Sequence, residues 1–400
     1  MPELRPFRGV RYSSSEQLKA VICPPYDIIG PEEQERLYAR HPHNAVRLEL
    51  ARGDAKYRDA ARTYERWLEE GVLVPDENPT LYVYRQDFTD PEGRPRRVAG
   101  IVGDLELEEF GGDGGVLPHE RTMAGPKADR LELMRALPVN VSPIFAIYRG
   151  GGGLAPYFTS LENRPAAARA ADDQGVLHRM WTVTAPAEIE MLRDALRPGP
   201  LVIADGHHRY ETALAYHRER DGVSGPHDGI MCYCVDADAE ELLVLPYDRA
   251  FRPKEPGDDI RERARSMFGA TAAGPGALDA SDADHPLLVV FPDEDLLIEL
   301  SDADVVGAVG ARARAWRDLD VVALHEVVIP KVAPGAEEFR FSRSEEDIRA
   351  LAAEGWIGVL LRAVRPAQIV DVASSGERMP QKASYFWPKA VTGLVLRSLR

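Results

Sequence analysis

Four hundred residues with a net charge of −16 give a chain long enough for two or three domains and a sizeable core. The acidic balance argues against a nucleic-acid partner, because phosphate backbones are repelled without a strong basic patch. There is no charged-then-apolar leader and no apolar run near about 18 residues, so a cytoplasmic protein with no membrane contact is expected.

Ala20-Val21-Ile22-Cys23 reads as a short strand, stopped by Pro24-Pro25-Tyr26-Asp27, where two prolines force an extended turn. Asn44, Arg47 and Glu49 are interleaved with apolar residues, which suits a half-buried strand with a polar face toward a cleft. Tyr57 to Leu68 is an amphipathic helix ended by Glu70-Gly71. Leu81–Phe88 and Arg97–Leu105 flank Asp90-Pro91-Glu92-Gly93-Arg94 as a hairpin. Gly111 to Gly115 reads as a joint, and Pro126 is placed to start a helix carrying Lys127, Asp129 and Arg130. An Ala-rich helix is expected around 165–172 and another over Pro186–Leu196. Leu201-Val202-Ile203-Ala204 is a buried strand, and a helix runs from the next turn to near Gly222. Cys232 and Cys234 alternate on one face of a strand and are expected as buried structural thiols.

Past residue 250, Pro253–Gly257 and Gly269–Asp284 read as linkers or exposed loops. Leu287–Phe291 and Leu296–Leu300 form a second hairpin. Helices are expected over 304–317, Leu324–Ile329 and Ser344–Glu354, with a buried strand or helix at Ile357–Val364 and a closing apolar helix at Val391–Leu399. The mixture indicates an α/β (α+β mixed) fold in three segments: 1–111, 112–250 and 251–400.

The chemistry gathers at Asp205-Gly206-His207-His208-Arg209, a strand–turn–helix junction. Backbone N–H groups and the positive end of a helix dipole favour an anion there. His207, His208 and Arg209 add donors suited to phosphate oxygens. Asp205 does not belong in a pure anion cradle; a carboxylate beside phosphate indicates a metal ion or a proton to be moved. Pro118-His119-Glu120 presents a carboxylate able to act as general base, with His119 placing a phosphate. Lys127 and Arg130 share a helix face as a second cationic strip. Near the end, Gln381, Lys382, Ser384 and Lys389 can close over an anionic substrate, with a docked aromatic tail as the alternative. No P-loop, dinucleotide or nucleophile-elbow motif is present.

Asp205 to Tyr210 after an apolar strand resembles the signature of free serine kinases of the ParB/sulfiredoxin-like superfamily, and Leu117-Pro118-His119-Glu120 resembles their upstream motif. Over nearly its whole length the chain is similar to the family called domain of unknown function 1015. That similarity rests on Pro24-Pro25-Tyr26-Asp27, on His119-Glu120-Arg121-Thr122 with Gly125-Pro126-Lys127-Ala128-Asp129-Arg130, and on Met379-Pro380-Gln381-Lys382. The kinase resemblance implies a ParB/sulfiredoxin-like core that transfers a phosphoryl group to free L-serine. Glu120 would then be the base, and Asp205 would hold Mg²⁺ or orient the acceptor. ATP, ADP or pyrophosphate would be the donor. A phosphatase or nucleotide hydrolase, and a non-catalytic nucleotide-binding switch, are the competing expectations.

Overall fold

The computed structural model describes residues 2–110, 115–120, 125–220, 222–239 and 241–400, with the backbone alone at 125–127. The architecture is mixed α/β, and the chain divides into two units. One comprises Met1–Pro118, Thr122–Leu242 and Pro388–Arg400; the other comprises His119–Arg121 and Leu243–Trp387. The expected segments 1–111 and 112–250 thus fall mostly within one unit, and the last residues return to it.

The first unit is built on a large mixed sheet. Its strands run in the order Val116–Pro118, Leu201–Asp205, Ile144–Tyr148, Gly229–Asp236, Pro95–Glu106, Leu81–Thr89, Leu177–Val183 and Ala168–Ala171. Leu201–Asp205 lies parallel to Val116–Pro118, with Val202 opposite Leu117, and antiparallel to Ile144–Tyr148. The expected hairpin is present, with Tyr82 opposite Val102 and Asp87 opposite Arg97. Gly229–Asp236 is buried at every residue, as a strand covered on both faces must be. Cys232 and Cys234 sit on one face with their sulfurs 3.5 Å apart, and burial pushes the Cys232 thiol well above its usual pKa. Helix His207–Arg218 packs on this sheet through Tyr210, Ala213 and Leu214. The buried Tyr210 hydroxyl donates to Glu108 O and accepts from Glu108 N.

Four expectations fail here, for separate reasons. Ala20–Cys23 is not a strand: Leu18–Val21 is a helical turn, and Asn44 Nδ2 donates to both Ala20 O and Ile22 O. The polar-apolar run at 43–49 is helical over Val46–Glu49 because Asn44 Oδ1 accepts from Val46 N, a local side-chain bond that turns the backbone. The Ala-rich stretch forms strand Ala168–Ala171. Asp172 Oδ1 accepts from Gln174 N and Val176 N, closing a hairpin onto Leu177–Val183 that overrides alanine's helix preference. The terminal helix is instead strand Leu396–Ser398, which follows Gly393 at φ 103° and pairs with Gly9–Tyr12 and Val139–Asn140.

The second unit carries an antiparallel sheet. Its order is Thr271–Ala273, Asp295–Leu300, His285–Val290, Ile357–Leu360, Asp248–Phe251 and Phe339–Ser342. The second hairpin is therefore present, whereas the stretch at 269–284 contains strand Thr271–Ala273 and helix Ala277–Ala280 rather than loop alone. The single helix expected over 304–317 is two, Asp302–Val309 and Arg314–Arg317, separated at Gly310 with φ 71°. No helix among the described residues is long and apolar enough to cross a membrane.

Burial pushes the Asp248 carboxyl up to about 6, although Leu361 N donates to its Oδ1 at 2.9 Å. A folded-state pKa above the unfolded value of about 3.9 favours folding fully below that value and loses the benefit as pH rises through about 6. Asp248→Asn removes the titration. Its stability relative to the parent should therefore grow by about 2 kcal/mol between about pH 4 and pH 7, measured by urea unfolding. A constant difference across that range would refute the burial argument.

Candidate functional site

Strand Leu201–Asp205 ends on a carboxylate, and Gly206 then turns the chain into helix His207–Arg218 with φ 89°. Only glycine adopts this backbone without strain, and an added Cβ would lie 3.0 Å from both Arg209 Nε and Ile144 Cγ2. Gly206→Ala should therefore cost about 2 kcal/mol or more in urea unfolding, from the left-handed conformation plus the clash. An unchanged midpoint would show that the turn is not constrained.

Asp205 is held from two sides. Arg209 Nη2 donates to its Oδ2 at 2.6 Å, and Lys389 Nζ donates to its Oδ1. Burial alone would raise the Asp205 pKa, but Lys389 and Arg209 outweigh it and keep the carboxyl well below its usual range. Arg209 Nη1 also donates to Ser142 Oγ and Pro143 O. The Ser142 hydroxyl in turn donates to Glu49 Oε1 at 3.3 Å. Glu49 is 4 % exposed, its Oε2 has no hydrogen-bond partner among the described residues, and burial raises its pKa against the pull of Arg130 and Arg209. Arg130 Nη1 donates to Glu49 O, and its guanidinium lies 4.5 Å from the Tyr26 ring centroid.

Asp27 completes the cluster. Its own surface is exposed, yet it is crowded by protein atoms. That crowding and the like charge of Asp205 push its pKa up. Because the side chain meets solvent, the charge of Asp205 is the more telling cause. Three carboxylates (Asp27, Glu49, Asp205) and three cations (Arg130, Arg209, Lys389) thus interact within the first unit. Sequence reasoning did not single out Asp27 or Ser142 as site residues. For Asp27 the signal was the double proline before Tyr26, which fixes the chain's direction there.

His207 is buried and His208 half-buried at the start of the helix. The side chain of Lys127 lies outside the described residues, as do Arg121 and Thr122. In the second unit, His119 and Glu120 meet the terminal motif. Glu120 forms an isolated parallel bridge with Met379, Met379 N donates to His119 O at 2.8 Å, and His119 Nε2 lies 3.1 Å from Ser384 Oγ. Gln381 and Lys382 are exposed, and Lys382 adopts φ 55°, with its carbonyl accepting from the buried Arg249. Tyr385–Trp387 pairs with Leu243–Leu245, so the aromatic residues of the tail are docking anchors. Two motifs more than 250 residues apart in sequence therefore form one local structure.

The fold and site define a mixed α/β protein with a charged strand–helix turn. A family model described as "Protein of unknown function (DUF1015)" matches residues 4–322, and the chain belongs to this family. No curated protein matches it. Among solved structures it is similar to SbnI with C-terminal truncation from Staphylococcus aureus, at 10% identity and TM-score 0.39, covering 73% of this chain and 85% of that one. It is also similar to a free serine kinase in complex with AMP, at 12% identity and TM-score 0.35, covering 68% and 83%. A conserved hypothetical protein from Pyrococcus furiosus matches at 13% identity and TM-score 0.33, covering 68% and 87%.

Proposed function

We propose that the chain is a small-molecule phosphotransferase with a ParB/sulfiredoxin-like core, acting in the cytoplasm, that moves a phosphoryl group from ATP, ADP or pyrophosphate to the hydroxyl of free L-serine. The observation that carries this reading is the ionised Asp205, fixed by Arg209 and Lys389 at the last residue before the helix that begins with His207. A donor phosphate at that helix N-terminus would meet backbone N–H groups and the imidazoles of His207 and His208. Arg209 is assigned a double part: it positions Asp205 and lends positive charge to the transferring group. From their motif Lys127 and Arg130 are assigned to phosphate binding, and Gln381, Lys382 and Ser384 to substrate contact.

The residues fit Mg²⁺. Asp27 and Asp205 lie close enough for one charge to raise the other's pKa, and a hard divalent cation bound between them would oppose that repulsion. Each Asp205 oxygen keeps a lone pair beyond the one its cationic partner uses. Mg²⁺ held by Asp205 and Asp27 would neutralise charge on the donor phosphates. The base role for Glu120 comes from the resemblance of its motif.

Incubating pure protein with Mg²⁺ and each donor, with and without L-serine, tests the reading. Serine-dependent donor loss with formation of O-phosphoserine is expected. Donor loss indifferent to serine would favour hydrolysis, and nucleotide binding without turnover would favour the switch.

A further inference from the structure

At the other end of helix His207–Arg218, ten residues and about 15 Å along the axis from His207, a second polar cluster forms. His217 in the last turn faces the short helical turn Pro226–Asp228, which leads into strand Gly229–Asp236. His217 Nδ1 is 3.2 Å from Asp228 Oδ1, and His227 Nε2 is 3.6 Å from the same oxygen. One ligand atom from each of the three residues lies within 4.8 Å of the others. A tetrahedral ion with bonds of about 2.0–2.1 Å places its ligands about 3.3 Å apart, so both contacts suit a shared ion.

Hydrogen bonding does not account for the contact. His217 Nδ1 and Asp228 Oδ1 are both shielded from solvent, and neither has a hydrogen-bond partner in the described structure, although they face each other. The carboxylate is also aimed. Its Oδ2 accepts from Ser224 Oγ at 2.7 Å and Gly225 N at 2.9 Å, which leaves Oδ1 for the imidazoles. His227 Nε2 donates to Val223 O at 2.7 Å; a metal would displace that proton and leave the carbonyl at hand as a fourth ligand.

We infer that His217, His227 and Asp228 form a site for a divalent transition ion of the zinc class, which clamps the end of the helix to the turn before strand Gly229–Asp236. Two imidazoles with one carboxylate suit zinc rather than magnesium or calcium, which prefer oxygen throughout. The site is independent of the phosphotransferase reading.

The test uses tag-free full-length protein stripped with a chelator. Co²⁺ titration should give visible d–d absorption saturating at one equivalent, Zn²⁺ should bleach it, and Zn²⁺ should raise the thermal midpoint. Asp228→Asn retains an oxygen for Ser224 and Gly225, and its amide can donate to His217, so it should fold. It should bind Co²⁺ more than about 100-fold more weakly, beyond the loss expected from an outer partner alone. His227→Gln provides an independent second variant with the same expectation. No saturable absorption in the parent, or affinity unchanged in both variants, would overturn the inference.

Discussion

Asp205→Asn should abolish phosphoryl transfer and also lower stability by about 3 kcal/mol in urea unfolding at neutral pH, toward the lower end for breaking a buried ion pair. The side chains of Asp205, Arg209 and Lys389 retain only 11–15 % exposure, so the substitution leaves two cations facing a neutral amide with little water to compensate. The pH dependence gives an internal check. The folded Asp205 pKa is depressed, so its stabilisation is present above the unfolded value of about 3.9 and is lost as pH falls through the folded value. The gap between parent and variant should therefore narrow in acid. A gap that stayed constant would mean the variant fails for reasons of shape and not charge. Full activity in a well-folded Asp205→Asn would remove Asp205 from the chemistry.

Glu120→Gln should behave differently. If Glu120 is the general base, turnover should fall by about 10²–10⁴-fold while donor affinity stays nearly the same. The amide keeps the shape of the side chain, and the backbone bridge to Met379 is untouched by the substitution; circular dichroism checks that the variant is folded. Turnover equal to the parent's would refute the base role.

The strand–turn–helix at 201–218 was legible because four apolar residues, a glycine and an aromatic-apolar stripe agree on one reading. The hairpins were legible for the same reason. What escaped was set by single polar side chains. Asn44 turned an expected strand into a helix, and Asp172 closed a hairpin on an alanine run, each through hydrogen bonds that no periodicity records. The site was half legible. Asp205 and the helix start carried their own signal, but the interaction of Asp27, Glu49 and Ser142 with it depends on contacts across more than 60 residues of sequence.

Strand Leu396–Ser398, between Gly9–Tyr12 and Val139–Asn140, has a consequence for synthesis. A ribosome delivers the whole second unit before it delivers residues 388–400, so the first unit waits for its inner strand until the second unit has been made. Lys389 arrives in the same interval. Asp205 thus lacks one of its two counter-charges until the second unit has been made, and the charged turn matures only after Lys389 is delivered.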